Sequence, residues 1–191
     1  MQLDEPALVS ESIDEPRDRV LDAIGVAYDA LGSAERRPAI FVAAPYGSLG
    51  DALPALAAAP VEAIGLDLVR GTAPERTDPA TEESLASKTL VAGVIDGHNI
   101  WRGDLAHAFA RADALRSLSA DVAVSTSTSL LHVPHDVDDE TTLDARLVSW
   151  LAFADQKVAQ VATLARGLDE GREVGLDGLC LLYTSPSPRD S

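Results

Sequence analysis

One cysteine, Cys180, stands among 191 residues, which excludes an internal disulfide framework and any cysteine-rich zinc site. Basic side chains are also scarce. Against 31 Asp and Glu there are 15 Lys and Arg, a formal charge of -16, and a surface of that sign repels phosphate backbones and anionic lipid. Neither nucleic acid nor a membrane surface is an expected partner. No run of about 18 apolar residues lacks a charge. The opening Met1-Gln2-Leu3-Asp4-Glu5 is acidic where a secretory leader is basic, so a cytoplasmic protein is expected. Lysine occurs twice, as Lys88 and Lys157, beside 13 arginines in an alanine-rich chain, which reads as coding bias rather than chemistry.

Several signatures of catalysis and binding are missing too. Gly-x-Ser-x-Gly is absent around the run Ser125 to Ser129, leaving a polar strand end rather than a nucleophile elbow. Gly47-Ser48-Leu49-Gly50 offers a phosphate cradle without the Gly-x-Gly-x-x-Gly spacing or a lysine. The acidic run Asp136 to Glu140 lacks the spacing and turn glycine of a calcium loop.

What the sequence does contain is alternation. Val20, Ile24, Ala27, Tyr28 and Leu31 share a helical face within Arg19 to Leu31, and Gly32 stops it. Ala39 to Ala44 is an apolar run between Pro38 and Pro45, the pattern of a strand buried on both sides. A short helix over Gly50 to Ala59, a strand over Ala63 to Val69, a helix over Pro79 to Ala86 and a strand over Thr89 to Ile95 follow. Helix Leu105 to Leu118, strand Asp121 to Thr126 and one long amphipathic helix from Leu143 to Leu168 complete the series. On that last helix Trp150, Phe153, Val158 and Val161 form the expected core stripe. With Leu3 to Val9 read as the end of an opening strand running into a loop, the chain is an α/β protein of about five parallel strands, either doubly wound or part of a barrel. A complete (βα)8 barrel needs about 200 to 250 residues.

Either architecture places chemistry at the carboxyl ends of the strands. The polar residues there are Asp4, Glu5, Tyr46, Asp67, Asp96, His98, Asn99 and Ser125 to Ser129. Asp4 and Glu5 are adjacent and point to opposite faces of a strand, which rules against a carboxylate dyad. His132 and His135 have a chelating spacing, but Pro134 between them opposes a helix. His107 reads as a surface residue of its helix.

Four ordered blocks carry a resemblance: Gln2 to Leu8, Val91 to Arg102 (VAGVIDGHNIWR), Ser127 to Pro134 (STSLLHVP) and Trp150 to Lys157 (WLAFADQK). They resemble the cobalamin-independent methionine synthases, specifically the N-terminal of that family's two barrels. The resemblance runs from Met1 to about Leu168 and implies a partial (βα)8 TIM barrel, the fourth to eighth strands. Residues 1–168 are then the later half of the N-terminal barrel, and 169–191 a tail outside the domain. Its last dozen residues resemble sequencing-adapter read-through, which would make Cys180 non-native; a natural disordered tail is the alternative.

The resemblance implies a methyltransferase that passes the methyl group of 5-methyltetrahydrofolate polyglutamate to homocysteine to form methionine. Zinc is implied as cofactor of the parent enzyme, held by the C-terminal barrel, with no metal expected in this chain. By likeness of the two barrels, the first His and Cys ligand positions fall on Val42 and Ala44, or on Ala43 and Pro45 one register away. The Glu position falls on Asp67 and the last Cys position on Thr128. Asp4 is the candidate for substrate binding, against a loop or capping role; the neighbouring acidic position of the family falls on Ser10, with Glu11 one place off. His98 aligns with a proton-donating histidine and is the candidate catalytic residue, against a surface loop role. The competing expectations are a free-standing, non-catalytic α/β binding or structural module, and a stand-alone enzyme using Asp4, Asp67 and His98.

Overall fold

The computed structural model describes residues 1–10, 13–74 and 78–170; Glu11, Cys180 and the tail lie outside them. Five strands, β1 (Gln2–Asp4), β2 (Phe41–Ala44), β3 (Ala63–Asp67), β4 (Thr89–Ile95) and β5 (Val122–Thr126), form one sheet in sequence order. Every neighbouring pair is parallel. Between and after them come α1 (Arg17–Gly32), α2 (Ala52–Ala58), α3 (Pro79–Ala86), α4 (Leu105–Ala114), α5 (Ala145–Val148) and α6 (Ala154–Glu170). A doubly wound sheet reverses its strand order at a switch point. This one never does, so its right-handed crossovers keep the helices on one side, as in a barrel arc. None of the described helices is long and apolar enough to cross a membrane.

Local chemistry accounts for most boundaries. Asp78 caps α3 by accepting from Ala80 N at 3.0 Å and Thr81 N at 3.1 Å, with Pro79 preorganised in the first turn. Asp104 caps α4 through His107 N at 2.9 Å. Ile64, Leu66, Leu90, Ala92, Val42 and Ala44 are buried in one continuous core with helix residues Leu56, Leu85, Ala108 and Leu164. Contact between helices and sheet thus consumes the alternate residues Val42, Ala44, Ile64 and Leu66. Register pairs Asp4 with Ala43, Ala43 with Gly65, Asp67 with Gly93 and Gly93 with Ser125, and side chains at paired positions share a face. The side away from the helices therefore presents Gln2, Asp4, Phe41, Ala43, Gly65, Asp67, Val91, Gly93, Ala123 and Ser125.

Three expectations are corrected by this arrangement. The α1 face is Leu21, Ile24 and Tyr28, while Ala27 and Leu31 are exposed, because the helix is rotated to bury Tyr28 against Glu5, its hydroxyl donating to Oε1 at 3.0 Å. By their apolar character Ile40, Val42, Leu66, Val91 and Val94 are expected to fill a barrel interior; Val91 faces that side, whereas Val42 and Leu66 lie under the helices.

The third correction concerns the long helix over Leu143 to Leu168, which is broken between α5 and α6. Trp101 and Leu151 form an antiparallel bridge, with Arg102 N donating to Trp150 O and Ala152 N to Ile100 O, both at 2.9 Å. At the start of α6, Ala154 N and Asp155 N donate to Pro134 O and His135 O at 2.9 and 3.0 Å. The amides that would continue the helix are used between loops instead. Trp101, Val133 and Val148 pack with Val137, Leu151 and Phe153 in a small separate core. The inward face of α6 is Lys157, Gln160, Thr163, Leu164, Gly167 and Leu168, and Val158 is 56% exposed.

Candidate functional site

The carboxyl ends of the strands border a groove of about 480 Å³ lined by Gln2, Asp4, Phe41, Tyr46, Asp67 and the run Ser125 to Ser129 among others. Each sequence-predicted residue has a definite place around it. Asp4 is exposed on the groove side and accepts from Gln2 Nε2 at 2.8 Å. Glu5 points the other way, to Tyr28; burial, followed by that hydrogen bond, pushes the Tyr28 hydroxyl well above the ordinary phenol range. The two carboxylates thus serve opposite faces.

Asp67 is 3% exposed, and three backbone amides use both of its oxygens. Tyr46 N donates to Oδ2 at 2.8 Å, while Val69 N and Arg70 N donate to Oδ1 at 2.9 Å each. The first of these holds Tyr46 at φ 81°, the sole non-glycine with positive φ among the described residues. Gly71 closes the same corner: a Cβ there would meet Gly47 backbone at 2.7 Å. Ser48 Oγ accepts from Thr72 N at 2.8 Å, so the serine of the candidate phosphate cradle already serves the neighbouring loop.

In the loop after β4, Asp96 accepts from His98 N at 2.8 Å and from Asn99 Nδ2 at 2.6 Å. Gly97 lies so close to the loop after β5 that a Cβ would clash with Thr128 O. His98 is exposed; its ring meets Tyr46 edge-on at 6.4 Å and His132 at 6.3 Å. Among the described residues none hydrogen-bonds that ring. His135 is turned away toward Asp155, and His107 lies exposed on α4.

The positions that the resemblance leads one to compare with zinc ligands do not suit that ion. Ala43 rather than Val42 faces the groove, and neither Ala43 nor Pro45 offers a donor atom. Asp67 is committed to three amides, and Thr128 supplies a neutral hydroxyl where a thiolate would be needed. Thr128 is 5% exposed and its Oγ1 has no partner among the described residues. Among those residues no three His, Cys, Asp or Glu side chains gather as a metal set.

Sequence reasoning missed Lys157. It is 1% exposed, and its Nζ donates to Asn99 Oδ1 at 3.2 Å and to Trp101 O at 3.1 Å. Burial pulls its amine down to about 8, partly countered by the nearby Asp96 carboxylate. Through Asn99 the buried amine braces the His98 loop from beneath. Rarity was the available signal, because a lysine inside an apolar helical stripe has to be satisfied or exposed.

Comparison with known proteins identifies the family. Residues 1–120 match the family described as cobalamin-independent synthase, N-terminal domain. The chain is similar to the 5-methyltetrahydropteroyltriglutamate–homocysteine methyltransferase of Mycolicibacterium paratuberculosis, 50% identical over 194 residues, covering 100% of this chain and 24% of that protein. The Rhodococcus jostii enzyme of the same name is 47% identical over 191 residues, covering 100% and 24%. That of Mycobacterium tuberculosis is 51% identical over 178 residues, covering 93% and 22%. The chain thus spans about a quarter of the length of these relatives. With the parallel arc in strand order and this identity along the chain, the protein belongs to the cobalamin-independent methionine synthase family, in its N-terminal domain.

Proposed function

We propose that residues 1–168 form the later half of the N-terminal barrel of a cytoplasmic methyltransferase that passes the methyl group of 5-methyltetrahydropteroyltriglutamate to homocysteine, giving methionine. Zinc belongs to the C-terminal barrel of that enzyme, and no step of the reaction is assigned to a metal in this chain. The part played here is structural: the arc presents a groove in which Asp67 is tied to its own backbone and Asp4 to Gln2, and the C-terminal barrel is its partner. Asp4 and His98 line the strand ends without the ligands that would make them a binding or proton-donating pair, so neither is assigned to the chemistry. Nucleic acid and membrane have no role, in keeping with a charge of -16.

The observation that supports this reading most is the 47–51% identity to relatives whose names state that reaction. It is tested by exchange. Residues 1–168 replace the matching segment of the Mycobacterium tuberculosis enzyme, and methionine formation is measured for the chimera and for the isolated chain. The chimera is expected to be active and the isolated chain inactive. A folded but inactive chimera, or methionine formation by the isolated chain that His98→Ala abolishes, would overturn the assignment.

A further inference from the structure

His132 stands three positions from His135 in the sequence, but the fold separates that pair and makes another. His135 is 79% exposed, with Nε2 3.8 Å from Asp155 Oδ1. The His132 ring instead faces His98, with ring centres 6.3 Å apart and planes at 75°. Both side chains are exposed. A metal–imidazole bond of about 2.1 Å puts the ion about 3.2 Å from a ring centre, so two rings on one ion stand about 4.5 Å apart when cis, about 5.2 Å in a tetrahedral site and about 6.4 Å when trans. The observed spacing lies at the upper end of that range, and side-chain rotation alone shortens it.

We propose that His98 and His132 form an open two-imidazole site for a borderline transition-metal cation, such as zinc, nickel(II) or copper(II), at the carboxyl end of the sheet. Imidazole pairs suit these ions, whereas calcium and magnesium require oxygen ligands. Both supporting loops are fixed from below. Asp96 holds the His98 amide at 2.8 Å, Gly97 rests on the Thr128 carbonyl, and Ser129 Oγ accepts from Leu131 N at 3.2 Å in the turn that carries His132. Tyr46 flanks His98 on another side. A net charge of -16 raises the local cation concentration. With two protein ligands the ion keeps positions for water or a small donor ligand. The site shares no residue with the zinc positions considered above and stands independently of the methyltransferase reading.

The test is calorimetric titration of the full chain with nickel(II), in a Cys180→Ser background so that no thiol competes. One saturable equivalent is expected, lost in His98→Ala and in His132→Ala separately and retained in His135→Ala and His107→Ala. Proton resonances of the His98 and His132 rings should broaden together at substoichiometric nickel. No saturable binding, or binding that survives His98→Ala, overturns the proposal. Circular dichroism of each variant identifies any loss that follows from unfolding, and the resonance broadening in the parent chain then decides alone.

Discussion

The carboxylate of Asp67 holds the backbone amide of Tyr46 at 2.8 Å, fixing a tyrosine at φ 81°. One carboxylate thereby joins the ends of β2 and β3 and supports a backbone conformation that costs about 1–3 kcal/mol. Asp67→Ala would leave three half-buried amides without their carboxylate and should destabilise the chain by about 1–3 kcal/mol in urea unfolding. Asp67→Asn keeps one acceptor oxygen and should lose less. Equal stability of the alanine variant would show that the clamp carries no weight.

Lys157 predicts an alkaline effect. Its folded amine, at about 8, lies below its unfolded value, so between these two values the unfolded chain binds more protons and stability rises with pH. The cost of the buried charge is fully present below about pH 8 and is relieved as pH rises toward the ordinary lysine value. That gain is on the order of 3 kcal/mol. Unfolding free energies from pH 7.5 to 9.5 should climb for the parent chain and less for Lys157→Met. Parallel curves would refute the assignment, since Lys88, also lowered by burial, would then account for the whole slope.

Glu62 predicts the opposite limb. Hydrogen bonds from the Arg37 guanidinium, first, and from the Ile40 amide hold its carboxyl down to about 2. A depressed carboxylate contributes stability above its unfolded value of 4.5, and that contribution is lost as pH falls from there through about 2. With 46% of the side chain exposed, solvent screening holds it to under about 1 kcal/mol. Carboxyl NMR should show the Glu62 midpoint near 2, and Glu62→Gln should reduce stability at pH 6 but not at pH 2.

The sheet edges predict association. Among the described strands β1 and β5 each pair on one side only, and an unpaired parallel edge recruits another chain. The isolated protein should sediment as more than a monomer, and Ala123→Lys, placing a charge on the open face of β5, should shift it toward monomer. A monomer with a sharp thermal transition would count against a partial barrel.

The family resemblance supplied the strand order, since alternation alone fits a doubly wound sheet and a barrel equally; the parallel alternation and the helix starts at Pro79 and Leu105 were legible from local pattern. The break between α5 and α6 was not. Trp150 and Phe153 fit a helical stripe, and only the distant Trp101 strand segment draws Leu151 out of it. The faces of β2 and β3 were ambiguous for a related reason, since Val42 beside Ala43 does not say which side meets helices. At the site, Asp67 was visible as a polar strand end but its commitment to three amides was not, because those partners lie in two loops. The His98–His132 contact depends on β4 and β5 being neighbours, which sequence spacing alone cannot supply.

Strand order equal to sequence order also fixes how the sheet can be assembled. Each strand meets as its first partner the one made just before it, and each helix docks on the strands that it joins, so sheet contacts stay short-range along the chain and loop-closure entropy is small at every step. Emerging from the ribosome, β1 and β2 can pair before β4 has been synthesised, and each later unit adds to an existing edge. The growing end remains an adhesive template until the next strand arrives. An arc of this kind is therefore most vulnerable to mispairing when synthesis pauses between strands, and the long excursion between β1 and β2 through α1 is where that pause would be longest.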